Sequence, residues 1–125
     1  MNLVIIKYNA GNIQSVLYAL DRIGASAVVT DDVSLIQQAD KVIFPGVGEA
    51  SSAMRYLKER GLDAVIKNLR QPVFGICLGM QLMCRFSEEN NVDCLGIFDE
   101  DVQYFAKAGS ADNKLKIPQI GWNNI

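Results

Sequence analysis

The spacing of apolar positions changes period repeatedly along the chain. Residues 3–8 form a short apolar run, as a buried strand would, and Asn9-Ala10-Gly11-Asn12 breaks it. Ile13, Val16, Leu17, Leu20 and Ile23 then recur at intervals of three and four. That spacing puts them on one face of a helix, and Gly24 stands where the helix would stop. Residues 25–30 predict a second strand, and Asp31 or Asp32 can cap a short helix running through Gln38. Lys41-Val42-Ile43-Phe44 predicts a third strand, ended by Pro45-Gly46. Ala53, Met54 and Leu57, then Leu62, Val65, Ile66 and Leu69, predict two helical segments broken at Gly61. Residues 72–76 predict a fourth strand feeding into Cys77, and 78–86 the next helix. Further on the pattern weakens. Later strands are expected at 102–105 and 114–117, with a loop over 107–113, where Ala, Gly, Ser, Asp and Asn dominate.

Strands alternating with helices predict an α/β domain, its mostly parallel sheet covered by helices on both faces. There is no repeat or linker, so residues 1–125 are expected to form one domain. Gly121-Trp122-Asn123-Asn124-Ile125 has neither a helix stop nor a tail-like composition, so the domain is expected to be incomplete at its C-terminus. Half of the residues are apolar and 21% are charged, an ordinary globular balance. The formal charge of −2 is spread over both signs, and no basic stripe suggests a nucleic-acid partner. The first residues lack the basic region of a signal peptide. No apolar stretch approaches the roughly 18 residues of a membrane span. Three irregularly spaced cysteines argue against a disulfide framework and for a cytoplasmic setting. Cys84, among Leu82, Met83 and Phe86, is expected in the core. Cys94 has no partner pattern. The chain contains no histidine, so neither a zinc site nor any other metal or cofactor is expected.

Gly75-Ile76-Cys77-Leu78-Gly79 carries the strongest chemical signal. It has the form G-x-C-x-G between an apolar strand and an amphipathic helix, the cysteine counterpart of the nucleophile elbow. A sharp strand-to-helix turn would lift the thiol above the sheet edge. The glycines keep clear the space where strand and helix approach. The positive end of the helix favours negative charge there. The plainer alternative is a buried small hydrophobe between two structural glycines.

Phe44-Pro45-Gly46-Val47-Gly48-Glu49 follows the third strand. Acyl transfer needs backbone N–H groups aimed at the developing oxyanion. In elbow enzymes one donor follows the nucleophile, here Leu78, and the other comes from a loop after a neighbouring strand. Residues 45–48 stand in the right place for that second role, and glycine lets a peptide rotate. An ordinary strand-to-helix turn is the alternative. A dinucleotide fingerprint would require glycine where Ser51 stands, and no phosphate-binding loop pattern occurs.

Phe-Pro-Gly-Val-Gly at 44–48, with Gly-Ile-Cys-Leu-Gly-Met-Gln at 75–81, resembles the class I glutamine amidotransferases. Tyr8 to Asn12 (ending in Gly-Asn), Ser87-Glu88-Glu89 and Lys116-Ile117-Pro118-Gln119-Ile120-Gly121-Trp122-Asn123 narrow the likeness. Together they look like the glutaminase subunits of imidazole glycerol phosphate synthases, along nearly the whole chain. The resemblance implies a flavodoxin-like amidotransferase fold. It also implies that Cys77 attacks the amide of glutamine, releasing ammonia and leaving a thioester that water hydrolyses to glutamate. Leu78 and the loop at Val47 and Gly48 would supply the oxyanion donors. Gln81 and Glu89, with Gly48 close by, would hold the amino-acid end of glutamine. The partner would be a synthase subunit with a (β/α)₈ barrel, which uses the ammonia to build the imidazole ring in histidine biosynthesis. Asn12 and Trp122 would face that subunit.

Two features depart from the family pattern. Its catalytic histidine and glutamate lie beyond Gly-Trp-Asn and are absent here, so the 125 residues alone are expected to be inactive. Asp99-Glu100-Asp101 is more acidic than the turn expected there. The competing functions are a glutaminase subunit of another biosynthetic pathway and a non-catalytic α/β binding module with a decayed elbow.

Overall fold

The computed structural model describes residues 1–104, 121, 122 and 124. In order the elements are β1 (Leu3–Ile6), α1 (Ile13–Arg22), β2 (Val28–Thr30), α2 (Val33–Gln38), β3 (Lys41–Phe44) and α3 (Ala50–Glu59). Then come α4 (Leu62–Lys67), β4 (Val73–Gly75), α5 (Leu78–Met83), β5 (Phe86–Ser87), β6 (Val92–Asp93) and β7 (Asp101–Val102). The expected strand at 114–117 and loop at 107–113 lie outside the described residues, as do Phe105 and Asn123.

Strands β1 to β4 form one parallel sheet in the order β2-β1-β3-β4, the flavodoxin-like order. The chain steps one way from β1 to β2, then the other way to β3 and β4. Right-handed crossovers therefore place α1 on one face and α2, α3 and α4 on the other. The direction reverses between β1 and β3, so ligands are expected beyond the C-terminal ends of those strands.

The core lies on the face carrying Val4, Ile6, Val42 and Phe44, packed with Ile36, Met54, Leu57, Leu62, Ile66, Leu78 and Leu82. On the opposite face Ile5 and Ile43 are buried, while Phe74, paired with Ile43 in register, is 64% exposed. The apolar stripe of α1 is only partly covered, with no residue fully buried.

Local chemistry sets most boundaries. Asp32 caps α2, its carboxylate accepting from the Leu35 N–H at 2.9 Å. Gly61 separates α3 from α4 with φ 66°, a left-handed conformation that glycine adopts without a Cβ penalty. Among the described residues no helix is long and apolar enough to cross a membrane.

The expected helix over 78–86 ends early, at Met83. Arg85 donates its backbone N–H to Glu100 (2.9 Å), and its carbonyl accepts from Cys94 (2.8 Å). Phe86 and Ser87 pair antiparallel with β6 and parallel with β7. This small second sheet corrects the reading of Cys84. The residue has extended dihedrals at the helix end and lies outside the core cluster, against which Cys94 packs. The sheet also accounts for the acidic stretch, because the Arg85 guanidinium contacts Asp99 at 2.6 Å and Asp101 at 2.9 Å.

Leu57 is fully buried between the sheet and the helices of the core face. Leu57→Ala should therefore cost about 2–5 kcal/mol. Phe74→Ala, at an exposed position, should cost far less. Urea unfolding followed by circular dichroism compares the two, and equal losses would contradict this account of the core.

Candidate active site

Cys77 stands at the turn from β4 into α5, exposed to solvent, with φ 51° and ψ −116°. A non-glycine residue held there carries strain of order 1–3 kcal/mol, which surrounding packing must sustain. The packing is specific. A Cβ at Gly75 would come within 2.8 Å of the Met80 Cα. At Gly79 a Cβ would run into the Phe44 carbonyl of the neighbouring strand, 2.7 Å from its carbon. The turn is further tied by Ile76 N–H donating to the Phe44 carbonyl and Gly79 N–H donating to the Ile76 carbonyl, both at 3.0 Å.

The loop after β3 lies against this turn. Pro45 and Gly46 are buried, whereas Val47 and Gly48 are exposed. Gly48 has φ 118° and open space where a Cβ would stand. Leu78 is buried, and its N–H donates to the Gly46 carbonyl at 3.2 Å. An oxyanion using the Leu78 N–H must therefore displace that carbonyl. The turn after β1 adjoins as well, since a Cβ on Gly11 would lie 3.7 Å from the Gly46 Cα.

Gln81 follows one helical turn after Cys77, half-buried, its N–H donating to the Cys77 carbonyl at 3.0 Å. Glu89 is half-buried in the turn between β5 and β6, its backbone N–H donating to the Ser87 hydroxyl at 3.3 Å. Asn12 caps α1, its side chain accepting from the Ser15 N–H at 3.2 Å, and Trp122 is fully exposed.

Two contributors escaped sequence reasoning. Tyr8 is buried beneath the glycine loop and donates its hydroxyl to the Pro45 carbonyl at 2.6 Å. Burial, followed by the neighbouring Cys77, raises its pKa above the ordinary phenol range. Glu49 caps α3, accepting from the N–H groups of Ser51 (2.7 Å) and Ser52 (3.3 Å) and from the Ser51 hydroxyl. An acidic residue directly before a helical pattern was the available signal for Glu49. Tyr8 stood at the head of the segment to Asn12 that carries the resemblance, and nothing in the sequence gave it a role of its own.

A cleft of about 450 Å³ opens elsewhere, lined by residues including Met1, Asn2, Ser26, Val28, Leu35 and Gln38. It sits at the N-terminal ends of β1 and β2, the opposite edge of the parallel sheet from Cys77, and no charged side chain lines it.

A cysteine on a strand-to-helix elbow, beside a glycine loop at the switch point of a flavodoxin-like sheet, defines a class of acyl-transfer enzymes. The chain belongs to the SNO glutamine amidotransferase family, whose model matches residues 9–124. Curated relatives narrow the likeness to imidazole glycerol phosphate synthase subunit HisH. The protein of that name from Bacteroides fragilis is 64% identical over the whole chain, which covers 62% of the relative. Those from Bacteroides thetaiotaomicron and Idiomarina loihiensis are 62% and 43% identical, again over the whole chain, with 62% and 61% of their lengths covered. The chain thus spans about three-fifths of the length of these relatives.

Glu49 makes the site's loop sensitive to acid. Hydrogen bonds from Ser51 first and Asn90 second lower its pKa from 4.5 to about 2. A depressed carboxylate stabilises the fold above its unfolded value and loses that contribution as pH falls toward its folded value. Between pH 4.5 and 2 the wild type should therefore lose stability that Glu49→Gln lacks at every pH. Urea midpoints at pH 7 and pH 3 check this, and parallel losses in both proteins would remove Glu49 from the account.

Proposed function

We propose that this chain carries the nucleophile of a glutaminase serving imidazole-ring formation in histidine biosynthesis. The observation that carries the reading is the exposed, strained Cys77 at the elbow. Its sulfur bonds to the side-chain carbonyl carbon of glutamine, and the C–N bond breaks as the amide nitrogen takes up the thiol's proton and leaves as ammonia. Water then cleaves the thioester to glutamate and restores the thiol. The proton acceptor and donor is a histidine outside these 125 residues, which contain none, held by a glutamate as the family resemblance implies.

Leu78 and Val47, with Gly48, are the proposed oxyanion donors. Gln81 and Glu89, beside Gly48, are the proposed contacts to the amino-acid end of glutamine. Ammonia passes to a synthase subunit with a (β/α)₈ barrel in a cytoplasmic heterodimer. The relatives' names supply the synthase, and the resemblance supplies the barrel. Asn12 and Trp122 are proposed to face that subunit; the complete exposure of Trp122 supports this, and helix capping by Asn12 is a competing reason for that residue.

One observation favours a second reading, a binding module with a decayed elbow: the Leu78 N–H is already occupied by Gly46. Cys77→Ala separates the two in a protein of the relatives' length, paired with its synthase subunit. The variant should lose glutamine-dependent ring synthesis while keeping synthesis from added ammonia. Persistent glutamine-dependent synthesis would remove Cys77 from the reaction. Trp122→Ala should weaken subunit association by more than about 1 kcal/mol, as loss of an interface anchor does. Calorimetric titration with unchanged affinity would place the interface elsewhere.

A further inference from the structure

We propose that Tyr8 is a positioning residue for the proposed glutaminase reaction, its buried hydroxyl immobilising Pro45 so that motion of the glycine loop is confined to residues 46–48. This rests on the reading of Cys77 as a glutaminase nucleophile.

Pro45 has φ fixed by its ring and no N–H of its own. Its remaining soft dihedral is ψ, and rotation about ψ swings the carbonyl. That carbonyl accepts the Tyr8 hydroxyl at 2.6 Å, in a buried bond between residues 37 apart in sequence. Ring and hydroxyl together leave Pro45 no soft motion. The Tyr8 ring is itself held against Phe44, with centroids 5.2 Å apart.

Gly46 is squeezed from the same side. A Cβ there would meet the Tyr8 hydroxyl, and would also come within 3.0 Å of the Gly79 nitrogen and of the Leu78 Cβ. Tyr8 and the first turn of α5 thus both crowd Gly46. The next carbonyl along, that of Gly46, accepts the Leu78 N–H at 3.2 Å. If the Gly46–Val47 peptide turns, the Gly46 carbonyl leaves Leu78 and the Val47 N–H takes the opposite direction. With Pro45 fixed, that exchange proceeds about a defined base. With Pro45 free, the Gly46 carbonyl and the Val47 N–H are spread over many orientations. A phenylalanine would fill the core equally well, so the hydroxyl is the part that needs a role.

Tyr8→Phe keeps the ring and removes only that donor. In the protein at its relatives' length, complexed with the synthase subunit, glutamine-dependent kcat should fall about tenfold or more, on the scale set by misplacing a reacting group. KM and ammonia-dependent synthesis should stay close to wild type. Alkylation of Cys77 by iodoacetamide, which develops no oxyanion, should keep its rate by mass spectrometry. Amide exchange at Gly46 and Val47 should accelerate while that of Leu57 does not. An unchanged kcat, unchanged exchange, or alkylation slowed in step with hydrolysis would each overturn the proposal. Should the wild-type complex itself fail to hydrolyse glutamine, the glutaminase reading falls. The exchange measurement then still decides whether Tyr8 fixes the loop.

Discussion

The site depends on the approach of α5 to the carbonyl of Phe44. That oxygen accepts the Ile76 N–H and abuts Gly79, leaving no room for a Cβ. The contact ties the start of α5 to the end of β3 and so fixes the turn from β4 into α5. Cys77 occupies that turn in a conformation it would not hold alone, with φ 51°. Strain of one to three kcal/mol, roughly, persists only where surrounding structure over-determines it. Here the over-determination comes from two glycines, two backbone hydrogen bonds and the buried Leu78 and Leu82 of the helix.

The sheet supplies the rest by topology. Parallel strands send every C-terminal end to one edge. The reversal of direction between β1 and β3 opens the space above them. Into it run three turns, from β1 with Tyr8 and Gly11, from β3 with Pro45 to Gly48, and from β4 with Cys77. Beneath them the core face packs Met54, Leu57 and Ile66 against the sheet. The cleft near Met1 lies at the opposite edge of the same sheet.

Much of this was legible in the sequence where the determinants are local. The third strand follows its apolar run residue for residue, and the predicted break at Gly61 is a left-handed glycine between two helices. Asp32 caps α2 as its position suggested. What failed depended on partners far along the chain. Apolar spacing alone extended α5 to Phe86, because Leu82, Met83 and Phe86 fit a helical face. The strand at Phe86–Ser87 exists because β6 and β7 come alongside it, which no window of local pattern contains. The acidic run at Asp99 to Asp101 was opaque for the same reason, its partner Arg85 lying fourteen and sixteen residues earlier. The role of Tyr8, though not its segment, escaped because a buried tyrosine reads as core until the carbonyl it serves is seen.

The bond between Leu78 N–H and the Gly46 carbonyl bears on whether this arrangement suits catalysis. A neutral intramolecular hydrogen bond contributes only about 0.5–1.5 kcal/mol net. Losing one well-placed donor to an oxyanion costs about 2.7–4 kcal/mol in the transition state. Charge developing on a glutamine carbonyl beside Cys77 would therefore outcompete the Gly46 carbonyl for Leu78, provided the loop can turn without disturbing its base. Glycine at 46 and 48 keeps the cost of that turn low, and Gly48 already sits at φ 118° with nothing near its missing Cβ. An occupied donor in the resting chain is thus compatible with the proposed reaction.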